Sequence, residues 1–288
     1  MPPGWWSIGR RRARRRSRRT YITRAELAAA VQAAHKLGIK VTGHLCCIGF
    51  REAAAIGIDN LEHGLLVDTE FHPGKQPDVC PASTRNEVAR VDLNTQPVKD
   101  MIADLVKHNV AITSALAVFE AFIGERPPLE QRFLGAVSPD AANNYLSARA
   151  RARGGADSPT VAALKKELEF ERAFVKAGGL LIAGADPTGN GGALAGFADQ
   201  RNIELLVEGG FTAVEAIQIA TANGAKFLGE QERFGTIAAG KHADLVVING
   251  NPAARIADIR NVKIVFKDGA GYDAGKLLDS VRGQAGLR

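Results

Sequence analysis

From Tyr21 to Gly229 the chain alternates short apolar runs with segments of helical period, an alternation that leaves few folds open other than a parallel sheet with helices packed on it. The runs are IKVTGH (39–44), IDNLEH (58–63), VAITSAL (110–116) and LLIAGAD (180–186), all of strand length. Helical signals fill the intervals. TRAE, Thr23 to Glu26, spells a capping box, and LAAAVQAAHKL after it closes at Gly38. REAAAIG predicts a short helix ending at Gly57, and PVKDMIADLVKHN a longer one. SPTVAALKKELEFERAFVKAGG predicts a helix capped by Ser158 and started at Pro159. In FTAVEAIQIATANGAKFLG a second capping box, Thr212 with Glu215, opens a helical stretch that ends before Gly229.

Two regions depart from this grammar. The polar stretch from Glu125 to Asp157, with PP, SPD, NN and GG, is longer than ordinary connections and reads as an insertion or lid. After residue 229, FGTIAAGKHADLVVINGNP and VKIVFKDG show β-branched strands separated by Gly and Asn-Gly turns, predicting a small β domain with only strands. No solenoid-period repeat is present. The resulting division is 1–20, an Arg-rich segment expected to be disordered and foreign to the fold; 21–229, the α/β part; and 230–288, the small β domain with its tail.

Charge supports treating the first segment separately. The formal net charge is +6, yet eight arginines fall in GRRRARRRSRR between Gly9 and Arg19, which leaves the rest of the chain at −2. Such a run is an organellar transit segment, a nucleic-acid arm, or sequence unrelated to the fold. Nucleic-acid modules interleave basic residues with aromatics, whereas Trp5 and Trp6 precede the run, which weighs against nucleic acid as a partner. The three cysteines, Cys46, Cys47 and Cys80, are odd in number and form no spaced framework, so the expectation is a reducing, cytoplasmic compartment without a disulfide scaffold. No run of about 18 apolar residues exists to span a membrane, and the chain reads as soluble.

His44, His63 and Asp186 each end an apolar run, and in parallel α/β folds the carboxyl ends of strands converge where ligands bind. Two imidazoles and a carboxylate suit a catalytic zinc or a similar divalent ion. Taken singly, each has an ordinary reading: a hydrogen-bonded strand-end histidine, or an Asp before Pro that forms a turn. His35 and His108, near helix C-termini, read as structural complements to the helix dipole. His72 is a loop residue that at most touches substrate, His242 a surface residue of a turn in GKHADLVV, and Cys46 and Cys47 lie close enough to His44 in sequence to approach a metal.

The stretches VTGHLCCIGFREAAAIGIDNLEHG, LLIAGADPTG and GFTAVEAIQIATANGAKFLG with FGTIAAGKHADLVVINGNP resemble the metal-dependent amidohydrolase superfamily, and within it the imidazolonepropionase-related branch that includes dipeptidases cleaving beside proline or arginine. The resemblance covers about Tyr21 to Gly269. It implies a distorted (β/α)8 TIM-like barrel with a small β domain, and a site built from a His-x-His pair on strand 1, a lysine on strand 4, histidines on strands 5 and 6, and an aspartate on strand 8. His44 matches the strand 5 ligand, His63 the strand 6 histidine and Asp186 the strand 8 aspartate. No His-x-His occurs, and no lysine precedes Lys36, so the chain reads as a truncated, C-terminal part, strands 5 to 8 plus the β domain.

By this resemblance the reaction is hydrolysis of a carbon–nitrogen bond in an amide, cyclic amide or dipeptide. The metal, Zn2+ or another divalent ion in one or two sites, lowers the pKa of water to about 7. Asp186 takes the water proton and passes it to the leaving nitrogen, while His63 binds a second ion or donates to the carbonyl oxygen. With three donors at best, metal binding is expected to be weak unless another chain supplies ligands, and an open half-barrel is expected to form a homo-oligomer or to fold poorly. Two other readings stand beside it: a non-catalytic remnant or partner-binding half, and nucleic-acid binding through the Arg-rich N-terminus.

Overall fold

In the computed structural model, residues 6–8, 21–81, 85–124, 126, 131–152, 158–187 and 192–285 are described. The arginine tract, and with it the nucleic-acid reading, lies outside them. In chain order the elements are β1 (Trp6–Ile8), α1 (Arg24–His35), β2 (Val41–Gly43), α2 (Phe50–Ile56), β3 (Asn60–Glu62), α3 (Arg85–Arg90), α4 (Gln96–Lys107), β4 (Ala111–Ser114), α5 (Leu116–Glu120), α6 (Gln131–Ala136), α7 (Pro139–Arg151) and α8 (Pro159–Lys176). They continue with β5 (Leu181–Ala183), α9 (Phe197–Glu208), α10 (Ala213–Ala220), α11 (Ala222–Leu228), β6 (Leu245–Ile248), β7 (Val262–Lys267), β8 (Ala270–Asp273) and α12 (Ala274–Ser280). Two compact units result: residues 1–114 with 162–181, and residues 115–161 with 182–288.

The first unit holds a sheet of order β1-β2-β3-β4-β5. The pairings of β1 with β2, β2 with β3 and β3 with β4 are all parallel. The start of β5 joins the far side of β4, where the Ile112 amide donates to the Leu180 carbonyl at 3.1 Å. β1 adds a fifth strand to the four read from sequence: Trp6 to Ile8 pair with Val41 to Gly43, while the rest of residues 1–20 lies outside the described residues. Three residues without apolar alternation, beside an arginine run, carry no strand signal of their own.

Local chemistry fixes the helices. The α1 capping box closes as expected: the Glu26 amide donates to the Thr23 hydroxyl at 3.3 Å, and the Thr23 amide to the Glu26 carboxylate at 2.9 Å. α1 buries Leu27, Val31 and Ala34, and α4 buries Val98, Met101, Ile102 and Leu105, the stripes that a period of 3.6 places on one side. α2 stops at Gly57, whose φ of +99° is open to glycine and costly for a Cβ-bearing residue.

The second unit contains the stretch read from sequence as an insertion or lid, and among its described residues it is largely helical. α6 and α7 occupy much of it, with the Ser138 hydroxyl accepting from the Ala141 amide at the start of α7. Phe133, Val137 and Tyr145 form a small buried cluster there. The C-terminal part is an antiparallel β6-β7-β8 meander, as the sequence predicts, with β7 and β8 joined by Asp268 and Gly269 at φ +49° and +83°, the positive-φ pair of a tight hairpin turn. It is not purely β: a 3-10 turn at Ile256–Arg260 and helix α12 interrupt it, α12 being capped by the Asp273 carboxylate. No helix among the described residues is long and apolar enough to cross a membrane.

Candidate active site

The β2–β3 register, Thr42 opposite Asn60 and Gly43 opposite Leu61, brings the carboxyl ends of the two strands side by side. His44 follows β2 directly and is exposed; His63 follows β3 and is buried, at 6% exposure. Their rings meet edge to face with centroids 4.9 Å apart and planes at 70°. The nineteen-residue spacing in sequence thus becomes one contact, made by a single β-α-β unit.

His63 reaches this position through an uncommon backbone. Its amide extends the ladder by donating to the Thr113 carbonyl at 3.0 Å, and the chain then turns with His63 at φ +67° into a 3-10 turn, Gly64–Leu66. A left-handed conformation is sparsely populated for residues other than glycine, so surrounding contacts have to hold it.

A polar layer lies one step before the histidines. Asn60 and Glu62 share a face of β3, and the register sets Thr42 beside Asn60 and Thr113 beside Glu62. The Asn60 amide donates to Thr42 Oγ1 and Thr113 Oγ1, both at 2.8 Å, and to Glu62 Oε1 at 3.2 Å; the Thr42 hydroxyl donates to the same Glu62 oxygen. Sequence reasoning passed over this layer. Its signal was available: polar residues at alternate positions of strands expected to be buried on both faces.

Also unanticipated is a group of buried carboxylates on the same unit. Asp68 is 5% exposed, Glu167 1% and Glu171 0%. Burial pushes the Asp68 carboxyl up to about 7, with Glu70 adding to the shift, and Glu171 up to about 8, with the Ser114 hydroxyl opposing it. Glu167 is raised well above the carboxylate range, by burial first and then by Glu171, while the Leu66 and Leu65 amides pull the other way.

The loop after His44 corrects the cysteine expectation. Cys46 and Cys80 form a disulfide, their Cα atoms 5.0 Å apart, and Cys47 is buried and outside that bridge, its thiol pushed up by burial. The Cys46 carbonyl accepts from the Thr69 hydroxyl, and that of Cys47 from Lys75 Nζ, both at 2.6 Å. An odd count says nothing of which pair the fold brings together.

Asp186 lies in the second unit, three residues after β5, half-buried and at φ +41°, a conformation that Asp tolerates better than most residues. The remaining histidines have local partners. His35 Nε2 meets Asp59 Oδ2 at 2.9 Å, His72 Nδ1 the Pro73 carbonyl at 2.8 Å, and His242 Nδ1 Asp268 Oδ1 at 3.0 Å. His108 caps the end of α4. Among the described residues no group of three His, Cys, Asp or Glu side chains is arranged to hold a metal ion; the two imidazoles at 4.9 Å supply a pair of nitrogen donors.

The profile of the amidohydrolase family matches residues 15–271. No curated protein matches the sequence. Among solved structures the chain is similar to a Xaa-Pro dipeptidase with methionine bound in its active site, at TM-score 0.59 and 21% identity over 94% of this chain and 54% of that one. It is also similar to the bottromycin amidohydrolase, at 0.60 and 20% over 90% and 55%, and to ochratoxinase of A. niger, at 0.57 and 20% over 88% and 46%. The chain thus spans about half the length of these relatives, and its parallel sheet is part of their (β/α)8 barrel, followed by a small β domain. With the family profile covering most of its residues, the chain belongs to the amidohydrolase family.

Proposed function

We propose that the chain carries the second half of a metal-dependent hydrolase that cleaves a carbon–nitrogen bond in a small amide, cyclic amide or dipeptide. The observation that carries the reading is the His44–His63 pair, brought to 4.9 Å at the ends of adjacent parallel strands. Two imidazoles at that separation suit zinc or a similar divalent ion. A bound ion would supply Lewis-acid polarisation of the amide carbonyl and acidification of water. His44 acts as a donor to the ion, and His63 as a second donor or as a hydrogen-bond donor to the carbonyl oxygen. Asp186 accepts the proton of the attacking water and returns it to the leaving nitrogen. These roles rest on the register with the family and on each residue's place after its strand.

The chain works in the cytoplasm on this reading, with the Cys46–Cys80 bridge weighing against that placement, and it acts as a homo-oligomer whose second copy adds donors. A second reading is a partner-binding half without activity.

The two separate on metal and turnover. Zinc content and hydrolysis of Xaa-Pro dipeptides and simple amides are measured for the full chain and for Asp186→Asn. The proposed function expects bound zinc and turnover that falls by roughly 100-fold or more in the variant. Zinc at background in the unaltered chain, or turnover indifferent to Asp186→Asn, rejects it.

A further inference from the structure

We propose that Glu167 is a positioning residue for His63: its carboxylate holds the left-handed turn at His63 and Gly64, and through that turn the direction of the imidazole. The inference rests on the reading of His63 as a functional donor.

Three observations carry it. First, α8 brings Glu167 to the turn, and Glu167 Oε2 accepts from the Leu66 amide, 101 residues away in sequence, at 2.9 Å. Amides at the start of a short helical turn lack regular helical partners, and that of Leu66 is satisfied from outside the turn. Second, the carboxylate fills the space beside Gly64. Gly64 stands at φ +56°, and a Cβ built there would fall on the Glu167 oxygens, so the residue after His63 is a glycine both for its backbone and for its neighbour. Third, Glu167 is 1% exposed. Burying a carboxylate is unfavourable, and a leucine of similar reach would fill the gap between α8 and the turn without that penalty. What leucine cannot do is accept from the Leu66 amide.

The consequence is directional. His63 occupies an uncommon φ, and the residues that follow it are pinned by Glu167, so the imidazole is set through the turn that this side chain holds. Groups that orient a ligating histidine from outside act on metal affinity as well as on the ring's own environment.

The test uses the full chain with Glu167→Leu, which keeps volume and loses the acceptor for the Leu66 amide, and Glu167→Gln, which keeps one carbonyl acceptor of similar shape. The ring nitrogens of the six histidines are followed by 15N NMR without metal, with the His63 signal assigned by its loss in His63→Ala. Zinc affinity is measured by competition with a chromophoric chelator, and folding by thermal unfolding. In Glu167→Leu the His63 signal should shift while those of His35, His108 and His242 stay, and zinc should bind about tenfold or more weaker. Glu167→Gln should fall between this variant and the unaltered chain. A role limited to stability would lower the unfolding temperature and leave the His63 signal in place, and that outcome overturns the inference. If Glu167→Leu does not fold, Glu167→Gln and Gly64→Ala, which presses on the same carboxylate, are read by the same criterion. Should the unaltered chain bind no zinc while the His63 signal still moves, the metal reading fails and the positioning role stands.

Discussion

Arg201, whose side chain is 11% exposed, joins three carboxylates of the second unit. It donates to both oxygens of Glu120 at 2.8 Å, to Glu204 at 2.8 Å and to Glu208 at 2.7 Å. Glu120 is fully buried and also receives Arg126 at 2.8 Å, while Glu204 receives Arg260. Removing one partner of a buried pair leaves a charge without compensation, which costs about 3 kcal/mol or more. Arg201→Met is therefore expected to lower unfolding stability in urea by about 3 kcal/mol. Arg126→Met, at a side chain 41% exposed, should cost about 1 kcal/mol or less, because Glu120 keeps both bonds from Arg201 and solvent screens the Arg126 end of the pair. Equal losses would show that burial does not rank these contacts. None of this network was legible in the sequence, since Glu120 and Arg201 stand 81 residues apart and neither position carries a local signal. His44 and His63 were legible because a strand end is a local feature, and their meeting followed from the β-α-β unit between them. The carboxylate of Glu167 was not, because on a sequence it is one polar residue of a helix among several.

The elements were read best where capping chemistry sits within three residues. Thr23 with Glu26 and Thr212 with Glu215 close as capping boxes, and Ser158 caps α8. α7 was passed over although Ser138 and Pro139 are start signals of the same kind, because Pro, Asn and Arg in one stretch also describe a loop. β1 has no periodic signal, and its pairing with β2 is visible only in the fold. The loop between β2 and α2 is held by a covalent link that sequence spacing does not announce. The Cys46–Cys80 bridge spans 34 residues, including α2 and β3, and closing a loop of that length restricts the unfolded chain by about 3 to 4 kcal/mol at most. Reduction, or Cys80→Ser, should lower the urea midpoint by an amount of that order, with the reduced chain and Cys80→Ser agreeing. An unaltered midpoint after reduction, with both thiols then reacting with an alkylating reagent, would show that the bridge does not constrain the fold.

At the scale of the whole molecule, the buried acids set how stability changes with pH. Asp68 at about 7 and Glu171 at about 8 are both raised by burial, and Glu167 is raised in the same direction. Unfolding returns each to water, where a carboxyl ionises near pH 4. Below that pH both states hold the proton and the groups have no effect. Between about 4 and the raised values, the folded chain keeps protons that the unfolded chain has released, so stability falls as pH rises and levels off above the folded pKa. Exposed carboxylates paired with cations, such as Asp78 with Arg24, are lowered and act in the opposite sense at acid pH, which confines the effect of the buried group to the range above about pH 5. The expected result is a urea midpoint that declines from pH 5 to pH 8, where one fully buried carboxyl can account for up to a few kcal/mol, since each tenfold change in its acidity is worth about 1.4 kcal/mol. Glu171→Gln supplies the control: an amide cannot ionise, so the decline should flatten and the variant should gain on the unaltered chain as pH rises. A midpoint that rises over this range, or a slope that Glu171→Gln leaves unaltered, would mean that these acids are ionised in the folded chain and compensated by a charge.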